Sequence, residues 1–406
     1  MRIVVHDFAG HPFQVQLSRE LARRGHVVAH HYLDDDQTPK GAMARLPDDP
    51  PGLEIVGLQL PDRLDKTNYV KRLRQDRAYG RIALAAAEAF RPDVYVTANM
   101  PLDPLDILQR GLADAGVHFV FWQQDFYSLA LTKILPRKLP VLGALIAAHY
   151  RRIERRIARR AQSIVCISAD FLDQLTAWGV DTRKCATIEN WAALDEIRPI
   201  TVRPTPWQIE QGLADRRIVL YSGTLGLKHN PDLLWQLAQR LQASPETHDV
   251  TLVVCSEGVG ANWLQRQLEA RPNPHLRLLS FQPYARFSEV LGAAELVTAL
   301  LEPDAGIFSV PSKVLSYMAA GRPVLLAAPA VNLAARTVVR ERAGEVVDPT
   351  DSEAFGAGAL RLLADPQGAE TMGTNGRRYA EQAFDIACIA DRFEALWAAR
   401  PLARAA

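Results

Sequence analysis

Two lysines stand on loops whose composition suits the binding of a phosphate. Lys228 lies in the segment GTLGLKHNP, which begins at Gly223 and follows a short apolar run. Lys313 follows Ser309, a proline and Ser312 at the expected start of a helix. Glycines let backbone amides approach an anion closely, and a helix N-terminus adds unpaired amides and the positive end of its dipole. We therefore predict that both ammonium groups hold one pyrophosphate, together with these amides.

The elements that must position these lysines form a regular alternation of apolar strands and amphipathic helices. A strand at Ile3–Val5, a helix with Phe13, Leu17 and Leu21 on one face, and a strand at Val27–Leu33 open the chain. The alternation stops in the Pro-rich stretch 195–206 and restarts near residue 218. Because 406 residues exceed what one core usually serves, we expect two α/β, doubly wound, Rossmann-like domains with a cleft between them. The predicted divisions are 1–195, a linker at 196–206, a second domain at 207–385 and a terminal helix at 386–406.

Polar residues follow three predicted strands of the first half. Gly10 and His11 follow the first strand, Asn99 follows the strand near residue 95, and Gln124 and Asp125 follow the strand at 117–122. Ligands of open α/β sheets bind beyond the carboxyl ends of the strands, so we expect these residues to border the cleft. Two alternatives stay open, since Gly10 also suits a plain tight turn and Asp125 could cap the next segment.

A basic amphipathic helix is predicted at the end of the stretch 134–160. The apolar segment LPVLGALIAAHY leads into RRIERRIARR, in which six arginines from Arg151 to Arg160 lie opposite Ile153 and Ile157. Such a helix beside an apolar patch can rest on an anionic membrane surface, and a solvated helix face is the alternative.

Composition limits the remaining classes of function. A net charge of +1 disfavours a nucleic-acid partner, and the four cysteines have no zinc or disulfide spacing. We expect neither a metal site nor a cofactor. The chain opens directly into a strand and has no apolar run of bilayer length, so we expect a cytoplasmic protein associated peripherally with the inner face of the cell membrane.

The segment around Lys313 also resembles a known family. Residues 301–326 are similar to the donor-site segment of the retaining family 4 glycosyltransferases of GT-B fold. Met318, Ala319, Gly321, Pro323 and Val324 fit the pattern of that segment. Phe308 and Ser316 occupy the places of its two glutamates, while Glu302 and Asp304 lie just upstream. The S-x-P-S-K sequence resembles a sub-branch found among polysaccharide-assembly enzymes.

The resemblance implies a sugar transfer with retention at the anomeric carbon. The donor would be a nucleoside diphosphate sugar, expected to be UDP-linked, which is a substrate and not a cofactor. The acceptor would be a lipid-linked glycan or oligosaccharide of bacterial surface polysaccharide or cell-envelope biosynthesis. We expect hexosyl or N-acetylhexosaminyl transfer that needs no metal ion. Residues 34–65 are predicted to form an irregular flap that faces the acceptor. The terminal helix would cross back to the first domain.

Each site residue then receives an expected role. The second domain would bind the donor, with the base at the loop after the strand near residue 278. The catalytic residues would be Lys228, Lys313 and Asp125. Donor binding is assigned to Gly223, Thr224, Phe281, Gln282, Pro283, Glu302, Asp304, Gly306, Ser309, Ser312 and Ser316. Acceptor binding is assigned to Gly10, His11, Asn99 and Gln124.

Two other functions remain open at this stage. A nucleotide-sugar epimerase of the same architecture would need carboxylates in the cleft, and Asp125 with Glu302 could supply them. A non-catalytic subunit that binds nucleotide or lipid is the second alternative, supported by the absence of the two glutamates.

Overall fold

The computed structural model describes residues 1–35, 40–65, 68–226, 229–305 and 309–398, with only the backbone described at 137, 138 and 305. The chain forms two compact units. Residues 1–190 and the segment from Asp385 onward make the first unit, and Trp191–Phe384 makes the second. Each unit contains one parallel sheet with helices, as the alternation in the sequence predicts.

The first unit is built on a seven-stranded parallel sheet of order β3-β2-β1-β4-β5-β6-β7. Its central strands are buried along nearly their whole length, because helices cover both faces. The strands are β1 Arg2–Asp7, β2 Val27–Leu33, β3 Leu53–Leu58, β4 Val94–Ala98, β5 His118–Gln123, β6 Ser163–Cys166 and β7 Cys185–Thr187. The helices up to β7 are α1 Pro12–Arg23, α2 Tyr69–Phe90, α3 Leu102–Asp114, α4 Tyr127–Lys138, α5 Pro140–Arg160 and α6 Phe171–Ala177.

The second unit repeats the plan with a six-stranded parallel sheet of order β10-β9-β8-β11-β12-β13. Its strands are β8 Arg217–Ser222, β9 Val250–Cys255, β10 Leu276–Leu279, β11 Ala294–Leu300, β12 Val324–Ala327 and β13 Gly344–Val347. Its helices are α7 Pro206–Glu210, α8 Asp232–Ala243, α9 Val259–Ala270, α10 Phe287–Ala293, α11 Lys313–Ala319, α12 Leu333–Arg340, α13 Ser352–Ala364 and α14 Pro366–Ala383. The predicted α/β class with two Rossmann-like domains is confirmed.

The last helix, α15 Ile386–Ala398, packs in the first unit beside α1. Arg24 donates hydrogen bonds to Asp391 at 2.6 Å and to the backbone carbonyl of Ala387 at 2.7 Å. Phe393 contacts Trp122 edge to face, with ring centroids 4.8 Å apart. An ion pair, a hydrogen bond to the backbone and an aromatic contact therefore hold α15 in the first unit.

The expectation of an irregular excursion at 34–65 is wrong for part of that stretch. Leu53–Leu58 forms strand β3, which pairs in parallel with β2 from Val28 to Leu33. The strand lies at the edge of the sheet, where half-exposed positions and Gly57 weaken the apolar pattern that would identify it.

Candidate active site

Lys313 lies beside the glycine loop that follows β8. Its ammonium nitrogen is 3.8 Å from the centroid of the Tyr221 ring and forms a hydrogen bond with the Tyr221 hydroxyl. The loop passes close to the lysine, because a Cβ placed at Gly223 would lie 3.1 Å from Lys313 Cε. Gly223 also has a φ of +131°, which side chains rarely adopt. The close approach and the backbone conformation both require glycine at 223.

Two buried tyrosines support this arrangement, and the sequence analysis did not identify them. The Tyr221 hydroxyl donates to the carbonyl of Thr224 at 3.0 Å. The Tyr317 hydroxyl accepts from the N–H of Ser222 and donates to its carbonyl, both at 3.1 Å. Burial raises the pKa of both phenols, so both remain protonated near neutral pH. The tyrosines thereby fix the end of β8 and the position of Lys313.

The other donor-side residues have different environments. Lys228 and Gly306 lie outside the described residues. Helix α11 begins at Lys313, with Ser312 at its N-cap. Ser312 is exposed, and Ser316, within the helix, is half-buried. Ser309 is buried before the helix, and its carbonyl accepts from the side-chain amide of Asn332 at 2.9 Å. Ser309 is therefore part of the packing of this loop.

Acidic residues precede this loop. Glu302 is half-buried and Asp304 is exposed in a single 3-10 turn. Burial and the nearby Asp304 charge raise the pKa of Glu302. Thr224, on the glycine loop, is exposed.

The loop proposed for the nucleotide base is held by Trp207. Gln282 accepts from the indole N–H of Trp207 at 2.8 Å and donates to the carbonyl of Ser280 at 2.9 Å. The Gln282 side chain is thus occupied by protein partners, which leaves backbone groups as its contribution to a base. Phe281 is half-buried and Pro283 is exposed.

In the first unit, the buried Asp7 brings together two residues predicted from separate stretches of sequence. Asp7 ends β1, and its carboxylate accepts from His11 Nδ1 at 3.0 Å and from the Asn99 side-chain amide at 2.9 Å. The backbone N–H groups of Ala9 and His11 also donate to it. The sequence analysis missed Asp7, although an aspartate at a strand end with a histidine four residues later could have identified it.

The Asp7–His11 pair forms an ion pair. Burial acts to raise the pKa of Asp7, but the charge and hydrogen bonds of His11, with a hydrogen bond from Asn99, lower it overall. Burial acts to lower the pKa of His11, yet the charge and hydrogen bond of Asp7 raise it, with a further contribution from Asp125. The Asp7 side chain is inaccessible and that of His11 is 38% exposed. The Asp7 carboxylate therefore favours the protonated form of His11 at the carboxyl end of β1.

We predict that replacing His11 with glutamine lowers stability more at about pH 6 than at about pH 9. The pKa of His11 is higher in the folded protein than in the unfolded chain. The stabilisation by His11 is therefore complete at pH values below its unfolded-state pKa and is lost as the pH rises through its folded-state pKa. The lowered pKa of Asp7 keeps its carboxylate charged at both conditions. We expect the loss in unfolding free energy to be about 1 kcal/mol larger at pH 6 than at pH 9. The partial exposure of His11 keeps this difference small.

Thermal unfolding at the two pH values measures this difference. His248, an exposed histidine of the second unit, provides the control through His248→Gln. An equal loss at both pH values for His11→Gln contradicts the ion pair.

A buried glutamate fixes the loop that carries Asp125. The carboxylate of Glu154, fully buried in α5, accepts from the backbone N–H of Ser128 at 2.9 Å and of Tyr127 at 3.1 Å. It also accepts from the Gln123 side-chain amide at 3.2 Å. Burial raises the pKa of Glu154, and these hydrogen bonds partly offset the rise. Glu154 thus secures the start of α4, immediately after the half-buried Asp125.

Two of the predicted acceptor residues have structural partners. The amide of Gln124 exchanges hydrogen bonds with that of Asn190, at 3.1 and 2.6 Å. Gly10 has a φ of +77°, and a Cβ there would lie 2.9 Å from Lys40 Cγ. Gly10 therefore lies in a tight turn, and the assignment of His11 and Asn99 to the acceptor stays a prediction.

The basic helix is part of α5, which packs along α4. Arg155 donates to the carbonyl of Trp178 at 2.7 Å and Arg156 donates to Asp106 at 2.8 Å, so these two arginines have protein partners. Arg151, Arg152, Arg159 and Arg160 are exposed. Large apolar side chains are also exposed on α4, on α5 and between them, at Ile134, Leu139, Val141, Leu142 and Leu145.

In the described part of the chain, no helix is long and apolar enough to cross a membrane. The same residues contain no cluster of three or more His, Cys, Asp or Glu side chains suited to a metal ion.

Two family descriptions match the chain. Residues 11–191 match "Glycosyl transferase 4-like domain" and residues 207–379 match "Glycosyl transferases group 1". Among curated proteins, WcaI of Escherichia coli (strain K12), described as a colanic acid biosynthesis glycosyl transferase, is 22% identical over 246 residues. That match covers 60% of this chain and 58% of WcaI, which is less than two thirds of the relative.

Solved structures match over nearly the full length. A sucrose-phosphate synthase from Thermosynechococcus elongatus superimposes with a TM-score of 0.75 at 16% identity, covering 98% of each chain. HepE from Anabaena in complex with UDP-glucose gives a TM-score of 0.70 at 16% identity, covering 98% of this chain and all of HepE. At these identities the likeness establishes the fold, two Rossmann-like domains of the GT-B type.

Proposed function

Because the chain belongs to the GT-B glycosyltransferases, with a glycosyl transferase 4-like first half and a group 1 second half, we propose that it transfers a sugar from a UDP-linked donor to a lipid-linked glycan. The product would enter a surface polysaccharide or another cell-envelope glycan. The description of WcaI as a colanic acid biosynthesis glycosyl transferase supports a role in polysaccharide assembly, and the UDP-glucose held by HepE supports the nucleoside. The observation that carries the proposal is the position of Lys313 against Tyr221 and Gly223.

On the donor side, the chemical requirement is to stabilise the departing diphosphate. Lys313 supplies a positive charge beside the glycine loop, and Lys228 is the second lysine of the proposal. Preorganised charges and backbone donors aimed at a developing anion provide large rate enhancements. The protonated Tyr221 orients the ammonium group through its hydroxyl and its ring. The lysines thus supply neutralisation that in other phosphoryl chemistry comes from a divalent ion.

On the acceptor side, the Asp7–His11 pair suits a transfer that retains configuration. An imidazolium already holds its proton, so it donates a hydrogen bond and does not act as a base. The acceptor hydroxyl oxygen then bonds to the anomeric carbon on the face that the diphosphate leaves. The bond from that carbon to the phosphate oxygen breaks, and the hydroxyl proton passes to that oxygen. His11 and Asn99 orient the acceptor in this scheme, with Asp125 as a further sugar or acceptor ligand.

A melting-temperature screen of the full chain tests the proposal. We expect UDP to raise the unfolding temperature more than UMP, because only UDP carries the second phosphate that the lysines would contact. The shift should persist in a chelator of divalent ions. Failure of every nucleoside diphosphate to raise the melting temperature contradicts a donor site in the second unit.

The lipid-linked acceptor requires access to a membrane surface, and the α4–α5 pair offers one. Four exposed arginines lie on the same helix as the exposed Val141 and Leu145, which are 77% and 65% accessible. Basic residues near an anionic leaflet contribute about 1 kcal/mol each, and exposed apolar side chains add burial in the headgroup region. We propose that this surface associates peripherally with the membrane.

Replacing Arg151, Arg152, Arg159 and Arg160 with glutamine should weaken sedimentation with phosphatidylglycerol vesicles by at least about tenfold. The control variant replaces four exposed arginines of the second unit, Arg266, Arg271, Arg277 and Arg378, with glutamine, so the net charge matches. Equal binding by the two variants contradicts a membrane role for α5.

A further inference from the structure

A cavity of the second unit lies at the opposite end of its sheet from the glycine loop. Its volume is about 490 Å³, and its lining includes Arg217 at the start of β8, Glu295 near the start of β11 and Pro323 just before β12. The glycine loop follows the other end of β8. A strand of this length spans about 20 Å, so the cavity is separate from the proposed donor site.

Positive charge dominates this cavity. Its volume falls within the range typical of sites for small ligands. Among the described residues, the charged side chains that line it are four guanidiniums and two carboxylates, which leaves an excess of two positive charges. They are Arg203, Arg217, Arg322, Arg377, Glu295 and Glu370.

Arg322 is the unusual member of this set. Only 8% of it is accessible, and its Nη2 donates to the carbonyl of Ile200. Its Nε is buried without a hydrogen-bond partner, and within the described residues Arg322 forms no ion pair. Burial and the charge of Arg203 lower the pKa of Arg322 to about 10, and the charges of Glu295 and Glu370 offset this decrease only in part. A buried guanidinium without a carboxylate is costly, which indicates that an anion completes the site.

The carboxylates of the cavity do not meet this need. Glu295 is occupied by Arg217, at 2.8 Å, and lies 3.8 Å from Arg203. Glu370 is exposed. Arg377 forms an ion pair with Glu381 at 2.8 Å and donates to the carbonyl of Ala319 at 2.6 Å, which orients its guanidinium at the wall of the cavity. Guanidinium groups match the oxygens of a phosphate in bidentate geometry and hold a phosphate more specifically than ammonium groups do.

We propose that this cavity binds a small phosphate-bearing ligand, with Arg322 as its central contact and Arg203 at its accessible side. The ligand is either a soluble sugar phosphate or the headgroup of an anionic phospholipid, since both present the same phosphate oxygens. This site is additional to the proposed donor site and does not depend on it.

Isothermal titration of the full chain, with excess UDP present to occupy the donor site, tests the proposal. The probes are glucose 6-phosphate and monomeric dihexanoylphosphatidylglycerol. We expect one of them to bind, and the probe that binds identifies the source of the phosphate. Arg322→Met should weaken that binding by at least about tenfold, and Arg203→Ala by about threefold. Arg271→Ala, at an exposed arginine of the same unit that does not line the cavity, should leave it unchanged.

Arg203 is partly exposed, so we expect the Arg203→Ala variant to fold. If the Arg322 variant does not fold, the binding measured with Arg203→Ala tests the proposal. Two results overturn the proposal. One is the absence of binding by both probes. The other is binding that neither Arg203→Ala nor a folded Arg322→Met variant changes. The cavity is separate from the proposed donor site for UDP. The outcome of the titration therefore holds whether or not the proposed transferase activity is found.

Discussion

Replacing Lys313 with alanine is expected to lower kcat/KM for the nucleotide sugar by about a hundredfold. The lysine lies beside Gly223 and is fixed by the buried Tyr221, so its charge is in place before the diphosphate begins to leave. A charge that is already oriented costs no reorganisation during the reaction, and its loss should therefore reduce kcat more than it raises KM. Steady-state kinetics with a UDP-sugar measure this split.

Two variants separate the role of the charge from general damage. Lys71→Ala removes an exposed lysine of α2 in the first unit and should leave the kinetics unchanged. Tyr221→Phe keeps the ring and removes the hydroxyl, so we expect a smaller loss than for Lys313→Ala. Turnover by Lys313→Ala within about threefold of wild type would remove Lys313 from the donor site.

Replacing Glu154 with leucine is expected to lower the stability of the first unit by about 3 kcal/mol. The change removes the acceptor of the Tyr127 and Ser128 backbone N–H groups, of which that of Ser128 is buried, and one of the two acceptors of the Gln123 amide. Unsatisfied buried donors carry the full cost of their desolvation. Hydrogen exchange at the Tyr127 and Ser128 amides should accelerate by about a hundredfold, since local opening becomes easier.

The matched control is Glu88→Leu, which changes an exposed glutamate of α2 in the same unit. Glu154→Gln should have an intermediate effect, because the amide retains one acceptor oxygen. Unchanged protection of the two amides in Glu154→Leu would mean that the carboxylate does not secure the start of α4.

The sequence predicted several strands and the glycine loop because these depend on local signals, but it did not predict β3. Ile3–Val5 is a continuous apolar, β-branched run that lies in the buried strand β1, and such runs identify buried parallel strands. The start of the helix that carries Lys313 was predicted because a proline and serines mark it. These patterns need no knowledge of the rest of the chain.

The residues that the sequence analysis missed depend on contacts between distant segments. Asp7 meets Asn99 across two strands, and Tyr317 contacts Ser222 from a helix nearly a hundred residues away. Glu154 stands within a run of arginines, where it resembles a surface charge, yet the packing of α5 buries it. Gln124 and Gln282 were assigned to ligands because their loops end strands. Their partners Asn190 and Trp207 become visible only in the fold.

The most direct test of the account follows a UDP-sugar by NMR with the full-length protein, first alone and then with membranes that contain lipid-linked glycan. If the protein is a transferase, the UDP-sugar should remain unchanged without acceptor. With acceptor, UDP should be released and the sugar joined to the glycan in its original anomeric configuration. Appearance of an epimeric UDP-sugar in the absence of acceptor, or no release of UDP with any acceptor, would contradict it.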